Sequence, residues 1–181
     1  MDQYFEVLRH CKNFPRDFDV TTQKDIRLYP ICPDDFPMIS EQIVIMKSAI
    51  DAVFYVQTAT EQQSKEHTLV LYGERHTDSS YFRDYSIVVG NKKSAVFQNE
   101  QMREAKKCYK KSNGEVVYAH SHVSEGDNYN CFSVSDLLFL IKQAVTYKRD
   151  VYGMLISKDG AIPVKYSYAG NEFFRIKIVI A

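Results

Sequence analysis

Tryptophan, net charge and long apolar runs are all missing from this sequence. Lys plus Arg number 23 and Asp plus Glu number 23 among 181 residues, so bulk charge favours neither nucleic acid nor an anionic membrane as a partner. No uninterrupted apolar run approaches the ~18 residues of a membrane-spanning helix, and the N-terminus mixes charged with apolar residues. We therefore expect no transmembrane helix, no signal peptide and no binding driven by charge alone.

Cysteine is scarce and scattered. The four cysteines are Cys11, Cys32, Cys108 and Cys131. They form no C-x-x-C pair, which excludes the simplest zinc-knot and thiol-redox motifs. A cytoplasmic protein with reduced thiols is the simpler expectation.

The apolar and aromatic content is that of one folded domain. Hydrophobic residues make up 45% of the chain, with 13 Tyr and 11 Phe, and the length suits a single core. All but one of the five prolines fall within the first 39 residues, where they disfavour regular structure. We predict that residues 1–39 form an extension packed on the domain, with a short helix over 4–11, and that residues 40–181 form the functional domain.

A long helix is predicted from Ser40. Ser40 suits an N-cap, Glu41 suits the first turn, and the apolar residues that follow recur at helical spacing. The positions that carry this spacing are Ile43, Met46, Ile50, Val53 and Phe54.

The rest of the chain mixes strand and helix patterns. We predict a strand over 66–74, a hairpin of strands over 85–90 and 93–97, a helix over 99–114, a strand over 115–122, a helix over 133–148, and strands over 152–159, 161–170 and 173–181. This order has no regular βαβ alternation. It predicts an α+β domain with three α-β-α layers.

The stretch "VYAHSHVSEGDNYNCFSVSD" at 117–136 holds two of the five histidines, His120 and His122. Side chains two apart on a strand point to the same side, so both imidazoles can reach one ion. Asp136 lies in the first turn of the helix that follows, and the intervening loop can return its carboxylate to the end of the strand. Two imidazoles and one carboxylate leave a position for water, as in a catalytic zinc site.

A purely structural interpretation of the same residues is available. Ser133 and Asp136 fit a capping box, with the serine as N-cap and the carboxylate returning to the backbone. Taken alone, S-x-x-D is more often a cap and H-x-H is more often incidental. Joined by a short loop at the start of a helix, the two together favour the metal site.

H-x-H, a loop and S-x-x-D together resemble the signature of the JAMM family, also called MPN+ or JAB domains, which are zinc-dependent peptidases and isopeptidases. This family places a helix before a strand that opens on a glutamate and closes on a glycine. Here "KEHTLVLYG" follows the predicted Ser40 helix, with Glu66 at the start of the strand and Gly73 at its end. The resemblance runs from Ser40 to Asp159.

The resemblance implies both a site and a fold. It implies Zn²⁺ held by His120, His122 and Asp136, with Glu66 as general acid and base. It also implies that Ser133 donates a hydrogen bond to the oxyanion while a peptide or isopeptide bond of a protein or peptide substrate is hydrolysed. The implied fold is a cytidine-deaminase-like, MPN-type mixed sheet, with one long helix before the metal-site strand and one after it.

The chain departs from the family pattern at several positions. Val123 stands where the family usually has proline, Leu69 replaces a common glycine, and the loop between His122 and Ser133 is longer. These features are more similar to divergent bacterial JAB-like domains, some of which occur in toxin and effector polypeptides. A parent polypeptide or an immunity protein is therefore an expected kind of partner, and delivery as an effector or toxin domain stays open beside the cytoplasm.

Other interpretations remain open. A cupin would use "GEVVYAHSH" at 114–122 with Glu125 as a further ligand, but an all-β jelly roll has no place for the helix after the site. An MPN-like scaffold that binds a partner without metal would keep the same fold. Glu74 is a rival to Glu66, which position along the strand favours.

The remaining histidines and the nearby cysteine have simpler interpretations. We expect His10, His67 and His76 to be ordinary surface or core residues. Cys131 lies beside the predicted site, and packing is the more common role for such a residue than metal binding.

Overall fold

The computed structural model describes residues 3–12, 14 and 26–181. Its helices are α1 (Gln3–Arg9), α2 (Lys47–Gln63), α3 (Asn99–Tyr109) and α4 (Val134–Tyr147). Its strands are β1 (Pro30–Ile31), β2 (Met38–Ile45), β3 (His67–His76), β4 (Ser79–Val89), β5 (Gly114–Ser121), β6 (Phe132–Ser133), β7 (Val151–Ser157), β8 (Gly160–Ser167) and β9 (Glu172–Ile180). Short 3-10 turns at Ile26–Leu28 and Pro33–Asp35 flank β1.

Seven of these strands close into a mixed barrel in the order β2-β4-β3-β5-β7-β8-β9. The prediction of a three-layer α-β-α domain was therefore wrong. Strand β2 closes the barrel because it pairs in parallel with β4 on one side and with β9 on the other. Gln42, for example, lies opposite both Ser79 and Lys177. Local patterns in a sequence do not report such closure, because it joins segments more than a hundred residues apart.

The strand that closes the barrel is also the segment that was predicted as the start of a helix. Residues Met38–Ile45 are extended, and α2 begins only at Lys47, after an N-cap at Met46. Ser40 is therefore a strand residue and the predicted N-cap was wrong. The run Ile43–Val44–Ile45 is β-branched and fully or nearly buried, which favours a strand at the centre of a sheet.

The predicted hairpin over 85–97 was also wrong. Strand β4 pairs along its whole length with β3, from His76↔Ser79 to His67↔Val89, so the hairpin turn lies at residues 77–78. The segment 91–98 forms no strand. Its start is held by Asn91, whose side-chain oxygen accepts the backbone N–H groups of Lys93 and Ser94 at 2.9 and 3.0 Å. Asparagine is typical of such turns, and here the turn leads to α3.

Other elements lie close to their predicted positions. The short N-terminal helix, the histidine strand β5 and the helix after Ser133 are confirmed. The charged helix after residue 98 is also present, but it ends at Tyr109 and not at residue 114, which begins β5. Strands β7, β8 and β9 match the three apolar segments at the C-terminal end.

The central strands bury different residues on their two faces. One apolar cluster joins β3, β5 and β7 to α2. The other joins the opposite face to α4 and includes Phe5 and Leu8 of α1. Strand β1 pairs with β6, so the N-terminal segment contacts the start of α4. Residues 1–2, 13 and 15–25 of the predicted extension lie outside the described residues. Among the described residues, no helix is long and apolar enough to cross a membrane.

Candidate metal centre

His120 lies near the end of β5 and His122 directly follows this strand, and the two side chains point to the same side. His120 is opposite Leu155 of the parallel strand β7, and the backbone N–H of His122 donates to the carbonyl of Ile156 at 3.0 Å, which continues the ladder. The two side chains therefore keep strand spacing. Their Nε2 atoms lie 3.1 Å apart and their ring centres 4.8 Å apart.

Asp136 reaches the histidines from the first turn of α4. Its Oδ2 lies 3.2 Å from His120 Nε2 and 4.0 Å from His122 Nε2. The capping box is also formed: the backbone N–H of Ser133 donates to Asp136 Oδ2 at 2.7 Å, and the N–H of Asp136 donates to Ser133 Oγ at 3.2 Å. The helix cap thus fixes the carboxylate that faces the imidazoles.

These three residues could hold a metal ion. Their ligand atoms all lie within 4.8 Å of one another. His120 is buried, and His122 and Asp136 are half-buried.

The hydrogen bond at the far side of His122 sets its tautomer. Nδ1 lies 3.1 Å from the carbonyl oxygen of Tyr129, and a carbonyl can only accept, so Nδ1 carries the hydrogen. Nε2 then presents a lone pair to the cluster, as in metal-binding histidines whose other nitrogen is held by a carbonyl. Burial, followed by the neighbouring His120, lowers the pKa of His122 to about 4. His122 is therefore neutral at physiological pH.

His120 and Asp136 form a coupled pair. Burial opposes charge on both, but the attraction between them prevails, with the Ser133 N–H also stabilising the carboxylate. The pKa of Asp136 falls to about 2, and that of His120 is raised. Metal binding would require His120 to be neutral, since a ligand must be deprotonated to coordinate.

Glu66 lies next to this cluster. It directly precedes β3, and its backbone exchanges hydrogen bonds with the turn after β4, donating to Asn91 at 2.8 Å and accepting from Gly90 at 2.7 Å. Thr68 is opposite His120 in the β3–β5 register, which places Glu66 level with the end of the histidine strand. Burial raises the pKa of Glu66 to about 7. The charge of His120 acts to lower this pKa, and the charge of Asp136 acts to raise it.

Glu74 and Glu125 lie away from the cluster. Glu74 is near the other end of β3, opposite Gly114, within ion-pair distance of His76 and Lys111 at 3.7 Å each. Glu125, the further ligand of the cupin interpretation, is exposed and pairs with Lys92 at 2.9 Å. Neither belongs to the group that could hold a metal.

The remaining histidines take no part in the cluster. His10 and His76 are exposed and His67 is fully buried. Cys131 also lies outside the metal group, with its sulfur 3.5 Å from that of Cys32.

Two supporting contacts were not predicted. One is the Tyr129 carbonyl, which has no side-chain signature in a sequence. The other is a buried network in which the Ser121 hydroxyl accepts the N–H of His67 at 2.8 Å and contacts Thr60 at 2.6 Å. Since Ser121 stands between the two metal-site histidines, this network fixes their strand against α2 and β3.

A groove opens beside Asp136. Its volume is about 450 Å³, and it runs between α4 and the extended segment 95–97. Residues of α4 that line it are Ser135, Asp136, Phe139, Lys142, Gln143 and Thr146. A smaller cavity of about 30 Å³ lies between His120, Asp136 and the aromatic side chains around them.

No protein-family model and no curated protein matches this chain. Among solved structures, the chain is similar to the solution structure of protein DSY2949 from Desulfitobacterium hafniense. The TM-score is 0.43 at 13% identity, and the match covers 77% of this chain and 92% of that chain.

Proposed function

We propose that this protein is a zinc-dependent hydrolase of peptide or isopeptide bonds, as its resemblance to JAMM domains implies. The observation that carries the proposal is the convergence of His120, His122 and Asp136, with Glu66 near enough for the charges of His120 and Asp136 to act on its carboxyl. The barrel differs from the fold that was expected, so the proposal rests on the site.

The donor set and its spacing suit zinc. Imidazole nitrogen and carboxylate oxygen are common zinc ligands, and metal–ligand distances of about 2.1 Å in a tetrahedron separate the ligand atoms by about 3.4 Å. The distances here are 3.1, 3.2 and 4.0 Å. Small side-chain movements would therefore complete the site. Three protein ligands leave one position for water or substrate, which is typical of catalytic zinc.

Glu66 has the protonation behaviour that a general acid and base needs. Bound zinc would supply Lewis-acid chemistry, lowering the pKa of water to about 7 and polarising the scissile carbonyl. Burial raises the pKa of Glu66 to about 7 when no metal is bound, and bound zinc would favour the ionised carboxylate that a general base requires. Glu66 would accept a proton from the attacking water and deliver it to the leaving amine nitrogen.

Ser133 can stabilise the developing oxyanion. Its Oγ accepts the N–H of Asp136, which orients the hydroxyl at the edge of the site and leaves its hydrogen to donate elsewhere. A donor of this kind contributes on the order of 3 kcal/mol to transition-state stabilisation.

The groove beside Asp136 supports a polypeptide substrate. The lining residues from Asp136 to Thr146 span ten positions of α4, or about 15 Å of helix at 1.5 Å per residue. An extended peptide rises about 3.3 Å per residue, so roughly four residues fit alongside.

A metal-free scaffold is the second candidate. It is favoured by the capping box and the His120–Asp136 pair, which give these side chains partners without a metal. The two candidates differ in zinc content and in hydrolysis.

Metal analysis of the purified protein tests the proposal. We expect close to one zinc per chain by plasma mass spectrometry, lost in His122→Ala and in Asp136→Ala. Hydrolysis of unfolded protein substrates, followed by mass spectrometry of the new termini, should be lost in the same variants. Folded wild-type protein that takes up no zinc when zinc is supplied would leave the scaffold as the function.

A further inference from the structure

Two half-buried cysteines from distant parts of the chain face each other beside the candidate metal centre. The sulfur atoms of Cys32 and Cys131 lie 3.5 Å apart, although the residues are 99 positions apart in sequence. Cys131 ends the loop that follows His122. Cys32 directly follows β1, which pairs with β6.

The β1–β6 ladder places these cysteines directly opposite each other. Ile31 is opposite Phe132 in the antiparallel register. One step further along, Cys32 therefore faces Cys131.

The hydrogen bonds of the β1–β6 ladder determine whether Cys32 and Cys131 form a hydrogen-bonded or a non-hydrogen-bonded pair. The backbone N–H of Val134 donates to the carbonyl of Tyr29 at 3.0 Å, which makes Tyr29–Val134 a hydrogen-bonded pair. Hydrogen-bonded and non-hydrogen-bonded pairs alternate along an antiparallel ladder. Cys32–Cys131 lies three steps away and is therefore a non-hydrogen-bonded pair. Such pairs have Cα atoms about 4.5 Å apart, within the range of about 4.4–6.8 Å found for disulfides.

We propose that Cys32 and Cys131 form a disulfide site that fastens the N-terminal segment to the loop between the metal ligands. The cross-link lies two residues from Tyr129, whose carbonyl orients His122, and two residues from Ser133, which caps α4. Closing a loop of 99 positions strongly restricts the unfolded chain. Oxidation therefore stabilises the folded protein and limits opening of this loop.

The oxidant is a small disulfide such as oxidised glutathione. One cysteine thiolate attacks a glutathione sulfur, which forms a mixed disulfide and releases one glutathione thiolate. The second cysteine thiolate then attacks the protein sulfur of the mixed disulfide and releases the second glutathione. The two protein thiols lose two protons and two electrons, and the oxidant is reduced to two thiols.

Thiol counting on the full chain tests the proposal. Reduced protein is treated with oxidised glutathione at about pH 8.5, because burial and Cys32 raise the pKa of Cys131 and the thiolate is the reacting form. Thiols are counted after denaturation, and cross-linked peptides are identified by mass spectrometry. The wild type should fall from four thiols to two, through a single Cys32–Cys131 cross-link.

Matched variants separate this pair from the other thiols. On oxidation, the double variant Cys11→Ser, Cys108→Ser should lose both of its remaining thiols. Its melting temperature should rise, as that of the wild type should. Cys32→Ser should form no intrachain cross-link and should gain no melting temperature. If the folded, oxidised wild type keeps four thiols, carries only glutathione adducts, links another pair or gains no melting temperature, the proposal is wrong.

Discussion

Asp136 accepts the backbone N–H of Ser133 through the same carboxylate oxygen that faces the imidazole of His120. The first distance is 2.7 Å and the second is 3.2 Å. The structural and the functional interpretations of S-x-x-D are therefore not alternatives. The helix cap holds the carboxylate in the rotamer that a ligand needs, as the partners around metal ligands commonly do.

Substitution at Asp136 and Ser133 should separate these two roles. Asp136→Asn keeps an oxygen for the Ser133 N–H but removes the anionic ligand, so zinc affinity should fall more than the roughly 10–100-fold typical of supporting residues. Ser133→Ala removes the cap hydroxyl and should cost about 1 kcal/mol of folding free energy while zinc is retained. Zinc titration and urea denaturation of both variants measure these effects. Equal zinc affinity in Asp136→Asn and the wild type would exclude the carboxylate as a ligand.

Glu66→Gln should abolish hydrolysis without removing the metal. The amide has nearly the same size but cannot accept the proton, and loss of a general base typically costs 10²–10⁴-fold in rate. Glu74→Gln is the matched control, because Glu74 lies on the same strand and away from the cluster. Turnover and zinc content should be measured on the same preparations. A similar loss of rate in both variants would contradict the assignment of Glu66.

Glu115 should make the protein less stable as pH rises. Its side chain is 6% exposed, and burial, opposed by Arg149 and Arg75, raises its pKa to about 7. Between the unfolded pKa near 4.5 and the folded value, the folded state binds more protons, so stability falls as pH rises through this window. Above the window the cost is roughly 3 kcal/mol, at 1.36 kcal/mol per pKa unit.

Glu115→Gln tests this effect, because glutamine resembles the protonated carboxyl at every pH. The variant should match the wild type at about pH 4.5 and exceed its free energy of unfolding by roughly 3 kcal/mol at about pH 8. Urea denaturation at both values gives the difference. Glu74→Gln, which replaces a more exposed carboxylate, should show no such divergence with pH. A constant difference between wild type and Glu115→Gln across this range would show that Glu115 is already ionised in the folded protein.

More of the candidate site than of the fold could be predicted from the sequence. His120 and His122 are two apart on one strand, and Ser133 and Asp136 share one helix turn, so their geometry follows from local rules. Barrel closure depends instead on β2 pairing with β4 and β9. In β2 the apolar residues happen to continue at helical spacing into α2, and the partners that override this pattern lie elsewhere in the chain.

The supporting contacts of the site could not be predicted for a different reason. The Tyr129 carbonyl acts through the backbone, and any residue at that position could supply it. His67 was expected to be ordinary, and nothing in the sequence next to it indicates its link to Ser121.

His67 should make the protein sensitive to acid. It is fully buried, and among the described residues its Nε2 has no hydrogen-bond partner, so protonation would place an uncompensated charge in the core. Burial and the positive charge of Lys65 lower the pKa of His67, although its hydrogen bond with the Lys65 carbonyl acts in the opposite direction. The unfolded chain therefore takes up this proton first, and stability is lost as pH falls below about 6.5 and through the folded pKa.

His67→Asn retains an amide that can donate to the Lys65 carbonyl, but it loses part of the ring packing, so it should be less stable than wild type at about pH 8. Because asparagine does not titrate, this deficit should shrink at about pH 5.5, as measured by urea denaturation. His10→Asn is the matched control, since His10 is exposed and its ring contacts the Glu6 carbonyl at 2.8 Å at the end of α1, so its replacement should have only a small effect at either pH. A deficit in His67→Asn that stays constant from pH 8 to pH 5.5 would mean that His67 does not resist protonation in the folded protein.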